Sequence, residues 1–279
     1  MAETWLEYTE GSYRSPAGRR PSLLARALPA LVLYSGFAGI VYRANRLAVR
    51  GRFDRQELCR STLAVLRLLE RIGIQVEVTG SQHLRALDSP LVVIANHMST
   101  LETVLLPLLI QPFRQVTFII KESLLRYPLF GPIMRSLEPL PVTRTNPRQD
   151  LKTVLEGGVE RLRRGMCIVV FPQTTRTVRF DPARFTSIGT KLAQRAQAPV
   201  VPLALLTDAW GNGRIVKEFG PVNTALDVRF AFGAPLPPGE SRGSDVQEAV
   251  VRFIQGRLRE WAAARAARGL PQPATALTA

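Results

Sequence analysis

Leu91-Val92-Val93-Ile94-Ala95-Asn96-His97-Met98-Ser99-Thr100-Leu101-Glu102 is the stretch that decides the fold. Its first five residues are apolar without interruption and follow the turn signal Asp88-Ser89-Pro90, which fits a strand buried on both faces. A polar break follows, and Leu101 to Ile110 is apolar enough for a buried helix, with Pro107 expected to bend or end it. A strand covered on both faces that leads into a helix is a unit of an α/β layer.

The alternation continues downstream. Strands are expected at 74–78, 116–120, 166–171, 200–206, 228–232 and near 215–219. Asn146 before Pro147 reads as an N-cap with proline at the first helical position, opening a helix to about Arg164. Further helices are expected around 188–196 and from a Ser244-x-x-Gln247 capping box to about Ala267. The fold class is therefore α/β, with a mixed, largely parallel sheet flanked by helices.

Upstream the pattern differs. Residues 1–22 are polar, end in Arg14, Arg19 and Arg20, and read as a flexible basic arm. Residues 27–42 carry no charge, and sixteen residues at about 1.5 Å each reach roughly 24 Å, short of a hydrocarbon core of about 30 Å. Arginines flank both ends, and 56–72 repeats apolar positions at helical spacing. Residues 23–72 are thus expected to form an N-terminal helical hairpin lying in one leaflet of a membrane, the alternative being a hydrophobic helix packed on the domain core. The main domain is 73–270, and 271–279 is expected to be a disordered tail.

The formal charge is +15, carried almost wholly by arginine, which suits an anionic partner such as a phosphorylated substrate or a lipid surface. No interleaved aromatic and basic run marks a nucleic-acid site, so none is expected as a partner. Cysteine is limited to Cys59 and Cys167 and histidine to His83 and His97, which leaves no disulfide framework and no zinc-ligand cluster.

His97 and Glu102, five apart, would lie about 140° apart on one helix and could not meet. They meet only if His97 sits in the loop and Glu102 in the first helical turn, a break that Ser99 or Thr100 can cap. Glu102 can then orient the imidazole for proton transfer, while Ser99-x-x-Glu102 is equally a capping box that serves only the helix. Free imidazole titrates at about 6.5, a match for a base near neutrality. Two further segments suit an anion: Phe171-Pro172-Gln173-Thr174-Thr175-Arg176-Thr177, rich in hydroxyls around an arginine, and Pro139-Leu140-Pro141-Val142-Thr143-Arg144.

Taken together, four ordered blocks resemble the glycerolipid acyltransferase family, which includes 1-acyl-glycerol-3-phosphate acyltransferases. They are Asn96-His97 with an acid at the fifth place, the Arg144 segment, the Phe171 to Thr177 loop, and Ala198-Pro199-Val200-Val201-Pro202-Leu203; the region around Lys121 and Pro128 to Gly131 is similar as well. The resemblance implies transfer of a fatty acyl group from an acyl-CoA or acyl-carrier-protein thioester to the hydroxyl of a lysophospholipid, without a cofactor or metal. It implies His97 as base, Glu102 as its orienting carboxylate, and Arg144, Arg176, Lys121, Gln173 and Thr175 as substrate contacts. It also implies a protein at the cytoplasmic face of the inner membrane, with the bilayer as a partner. Two departures stand out: Glu102 replaces the family's usual Asp, and Gln173-Thr174 replaces its usual Glu-Gly. The second removes a negative charge and points to a different acceptor headgroup, the alternative being a lipid-binding protein without turnover.

Overall fold

The structure is a computed structural model, and it describes residues 5–18, 20–173, 175–214, 216–238 and 243–272. Its strands are β1 (Tyr13–Arg14), β2 (Val76–Thr79), β3 (Val92–Ala95), β4 (Val116–Lys121), β5 (Leu140–Val142), β6 (Cys167–Val170), β7 (Val200–Leu206) and β8 (Val228–Phe232). They form one mixed sheet in the order β1-β2-β8-β7-β3-β6-β4-β5. β3, β4, β5, β6 and β7 run parallel, while β8 is antiparallel to β7 and β1 to β2. The α/β reading with a largely parallel sheet is the observed architecture.

The helices are α1 (Leu23–Ala27), α2 (Pro29–Val49), α3 (Arg55–Arg71), α4 (Gln82–Arg85), α5 (Leu101–Ile110), α6 (Phe130–Arg135), α7 (Pro147–Arg163), α8 (Ile188–Ala196) and α9 (Gly243–Ala267). Alternate residues of the central strands feed opposite faces. Val93, Ala95, Val169, Val201 and Leu203 join a core with α2, α3 and α5. Val92, Ile94, Ile168, Val170 and Ala204 join a second core with α7, α8 and α9. Because β3, β6 and β7 are covered on both faces, every residue of these strands is buried.

The N-terminal helices were expected as a hairpin apart from the main domain; instead α2 and α3 are the outer part of one helical layer. Leu63, Leu66 and Leu69 of α3 and Phe37 of α2 share a core with the strands. α5 has ten residues, too short to cover that face of the sheet by itself. Among the described residues no helix is long and apolar enough to cross a membrane. The arm is likewise not loose where it is described: β1 pairs with β2, and Tyr13 and Ser15 donate hydrogen bonds to buried Glu70.

Smaller differences have local causes. α5 runs through Pro107 to Ile110, because eight of its ten residues are buried and packing outweighs one lost backbone bond. No strand is present over 216–219, where the chain turns; Ile215 lies outside the described residues. Ser244 sits inside α9, and Gln247 donates to the carbonyls of Phe185 and Thr186 instead of closing a capping box. The Asn146 cap is present, its side chain accepting from the Gln149 N–H at 3.1 Å. Residues 273–279, most of the expected tail, lie outside the described residues.

Candidate active site

β3 through β7 are parallel, so the segments that follow them all emerge at one edge of the sheet, where open α/β sheets build their sites. His97, Lys121, Arg144, the Gln173–Arg176 loop and Thr207 all leave from that edge.

Asn96 explains how β3 ends. Its carboxamide donates to the Leu205 carbonyl at 2.9 Å and accepts from the Leu205 N–H at 2.8 Å, so the side chain continues the ladder to β7 after the backbone has turned away. His97 is thereby released into the loop. Its backbone N–H donates to Gln173 Oε1 at 3.0 Å, and its carbonyl accepts from the Thr177 N–H at 2.8 Å. The imidazole stacks on Phe171, centroids 4.3 Å apart and 19° from parallel. The loop after β6 therefore holds His97 by its backbone and by its ring.

Glu102 lies in the first turn of α5 with no exposed surface. Its Oε1 is 2.9 Å from His97 Nδ1 and accepts from the N–H groups of Met98 at 2.6 Å and Ser99 at 2.8 Å. Its Oε2 accepts from the hydroxyls of Ser99 at 2.9 Å and Thr207 at 2.6 Å. One carboxylate thus reaches back to the Ser99 N–H and also faces the ring, while Ser99 Oγ accepts from the Leu101 N–H, so the capping box is present only in its Glu102 half. Burial pushes the Glu102 pKa up, but the hydrogen bond and charge of His97, with Thr207 and Ser99, hold it below the usual carboxylate range. An ionised Glu102 accepts a proton-bearing Nδ1, which leaves Nε2 with its lone pair; Nε2 has no hydrogen-bond partner among the described residues.

Next to this corner opens an apolar cavity of ≈ 270 Å³ between α2, α3, α5, α6 and the 216–219 turn, with Thr100, Thr103 and Val104 in its wall. Arg176 is at its edge. The expected phosphate ligand is not idle: its Nη1 lies 3.2 Å from Glu218 Oε1, both side chains mostly buried. Gln173 is 3% exposed; with Oε1 turned to His97, its Nε2 has no partner among the described residues. Thr175 is exposed, and Thr174 lies outside the described residues.

Lys121 and Arg144 share the edge but are not gathered into the cluster. Lys121 ends β4, exposed. Arg144 follows β5 at the border of the sheet, with φ 66°. The N–H groups of Thr143 and Arg144 both donate to the Asp150 carboxylate, at 2.8 Å and 2.7 Å, so the donors of this turn already hold an anion. Neither side chain hydrogen-bonds to the His97 cluster among the described residues. Thr207, Asn212 and Glu218 are the participants that reading the sequence missed. Thr207 directly follows β7 and could have been found from its place past a strand end; Asn212, whose Nδ2 donates to the Met98 carbonyl at 2.8 Å, and Glu218 carry no signal of spacing.

Residues 75–206 match the family model described as Acyltransferase. The chain is 34% identical over 155 residues to a 1-acyl-sn-glycerol-3-phosphate acyltransferase of Pseudomonas aeruginosa, across 56% of this chain and 58% of that one. It is 28% identical over 164 residues to a chloroplastic 1-acyl-sn-glycerol-3-phosphate acyltransferase of Brassica napus, across 58% of this chain and 45% of that one. The crystal structure of the 1-acyl-sn-glycerophosphate (LPA) acyltransferase of Thermotoga maritima shares the fold, with a TM-score of 0.63 and 21% identity over 85% of this chain and 96% of that one. The chain spans about half the length of the curated relatives it matches. Over residues 75–206 the ordered blocks and these likenesses agree: this part of the chain matches the Acyltransferase model and is similar to the glycerolipid acyltransferases.

Proposed function

We propose that this protein transfers a fatty acyl group from a CoA or acyl-carrier-protein thioester to the hydroxyl of a lysophospholipid, the class that includes the 1-acyl-sn-glycerol-3-phosphate of its relatives' names. The observation that carries the reading is the imidazole held at 2.9 Å by a buried carboxylate beside an apolar cavity. His97 Nε2 takes the acceptor's hydroxyl proton as that oxygen adds to the thioester carbonyl carbon. The resulting tetrahedral intermediate re-forms its carbonyl and breaks the carbon–sulfur bond, and the imidazolium returns the proton to the departing thiolate. Glu102 stabilises the transient positive charge and keeps the ring from rotating, while the stack on Phe171 fixes its plane. Arg176 supplies the cation for the acceptor phosphate.

A direct transfer is favoured over an acyl-enzyme. Both thiols are buried, and burial pushes Cys59 and Cys167 up to about 12, so neither is a ready nucleophile at neutral pH.

The substrate's chains come from a bilayer, and α1 and α2 offer a surface for it. Leu23, Leu24, Leu28 and Leu31 are all at least half exposed; Arg43 and Arg46 lie further along α2, and Arg50 caps its C-terminus. Exposed leucines with arginines at headgroup level suit a helix lying on an anionic leaflet, which supports an association with the cytoplasmic face of the inner membrane.

The test is transfer of a labelled acyl chain from acyl-CoA and from acyl-carrier protein to a panel of lysophospholipids. Transfer by the wild type and its loss in His97→Ala, with an unchanged melting temperature, are expected. Undiminished transfer in His97→Ala would sink the proposal.

A further inference from the structure

Of the side chains lining the apolar cavity, Arg176 and Glu218 are the charged ones, and they face each other at 3.2 Å. Their side chains are 17% and 22% exposed. Arg176 belongs to the loop that grips His97 through Thr177, and Thr100, next to Ser99, lines the same cavity. The charge pair therefore lies in the cavity wall, with Arg176 on the loop that holds the His97 backbone.

Glu218 is built in place. The indole N–H of Trp210 donates to the Glu218 carbonyl at 2.9 Å. Trp210 is fully buried and meets Tyr34 and Phe37 of α2 edge-on. The next residue, Phe219, packs on Tyr34, whose hydroxyl donates to the Gly220 carbonyl. The Gly211 N–H donates to the Pro221 carbonyl at 2.9 Å, closing the base of the excursion. A ligand that takes Arg176 thus finds beside it a carboxylate whose backbone is anchored. Arg179, Arg214 and Lys217 are near in sequence, but all three are exposed and none lines the cavity.

Charge matching then selects the headgroup. A phosphomonoester would put its negative charge on Arg176 and leave Glu218 partly buried without a counter-ion. A headgroup that carries its own cation exchanges partners instead: phosphate pairs with Arg176, ammonium pairs with Glu218, and the site stays neutral. We propose that Glu218 is a specificity-determining residue and that the acceptor is a lysophospholipid whose phosphodiester bears an amine. This deepens the acyl-transfer reading and rests on it for the identity of the ligand as a lysolipid.

The experiment is calorimetric titration of wild type, Glu218→Gln and Glu218→Asp, in non-ionic micelles and without thioester, with two lysolipids of equal acyl chain. One is 1-acyl-glycerol-3-phosphate and the other 1-acyl-glycerol-3-phosphoethanolamine. The wild type and Glu218→Asp bind the amine-bearing lipid at least about tenfold tighter, the order expected when one charge-assisted pair is made or lost. Glu218→Gln brings the ratio to within about twofold of unity, mostly by tighter binding of the phosphomonoester. A wild type that prefers the phosphomonoester, equal ratios in wild type and Glu218→Gln, or binding of neither lipid overturns the assignment. Because binding is read apart from turnover, a preserved ratio with no acylation of either lipid sinks the acyl-transfer reading alone. Acylation with the reverse preference sinks the headgroup assignment alone.

Discussion

Within the corner from Asn96 to Glu102, the Asn96 and Glu102 side chains contrast with their neighbours Gln173, Arg176, Asn212 and Glu218, while Thr100 Oγ1 of the same corner is buried with no partner among the described residues. In the corner both oxygens of Glu102 are saturated and the Asn96 carboxamide makes two bonds to β7. Beside it Gln173 Nε2 and Asn212 Oδ1 are buried with no partner among the described residues, and Arg176 is held by a carboxylate. A buried polar atom left unpaired costs about 1–3 kcal/mol, so folded chains keep few of them. Folding alone saturates Asn96 and Glu102, as the proposed proton transfer requires, whereas the Arg176–Glu218 pair is where the proposed ligand would exchange partners.

The largest break in this comparison comes from the base. Replacing His97 by Ala is expected to lower the rate of acyl transfer by about 10²–10⁴, the usual contribution of general base catalysis, with little change in acceptor binding. Single-turnover kinetics with labelled thioester measure it; a rate within threefold of wild type would move the chemistry elsewhere.

Glu102 tests whether the corner is a structural unit. Glu102→Ala strands the N–H groups of Met98 and Ser99 and the hydroxyl of Thr207, and a loss of roughly 3 kcal/mol in denaturant unfolding is expected. The pH dependence has a definite sign. The folded-state pKa of Glu102 is depressed, so its ionisation stabilises the protein above the ordinary carboxylate range and that contribution is lost as pH falls through the lower, folded value. Urea midpoints between pH 7 and pH 3 should therefore fall more steeply for wild type than for Glu102→Gln, and parallel curves would contradict the assignment.

At the cavity edge, Arg176→Ala is expected to raise KM for the lysolipid by about 10- to 100-fold with a smaller change in kcat, as for loss of a charge-assisted contact. Equal losses in kcat and kcat/KM would instead make Arg176 part of the transition-state machinery. The smallest effects belong to the outlying cations: Lys121→Ala and Arg144→Ala, whose side chains are exposed and outside the cluster, should each alter kcat/KM by less than about threefold. A loss as large as that of Arg176 would bring the substrate's phosphate to the sheet border.

Reading the chain located much of this arrangement. The uninterrupted runs at 91–95 and 200–206 mark β3 and β7 because strands covered on both faces need apolar side chains at every position. Asn146-Pro147 marks the start of α7 because cap and first-turn preferences are local. The N-terminal helices were placed as helices but misassigned to a separate unit. An apolar helix has the same composition whether it faces lipid, a neighbouring helix or, as α2 does, a core on one side with Leu31, Tyr42 and Val49 left exposed on the other. Arg144 and Arg176 looked equivalent, each a single arginine past a strand end. Their sequences do not say that one lies past the border strand with its turn already occupied by Asp150 while the other lines the cavity.

By itself the sequence determined the alternation of strands and helices, the His97 and Glu102 pairing across a loop–helix junction, and the likeness of residues 75–206 to the acyltransferases. These rest on periodicity, capping and contiguous motifs, all of which act over a few residues. Only the tertiary structure decided that Thr207 completes the Glu102 cage, that α2 and α3 wall the cavity, and that Glu218 stands against Arg176. Those contacts join residues 105, 42 and more positions apart, and their existence depends on strand order and on how the turn after Trp210 is anchored.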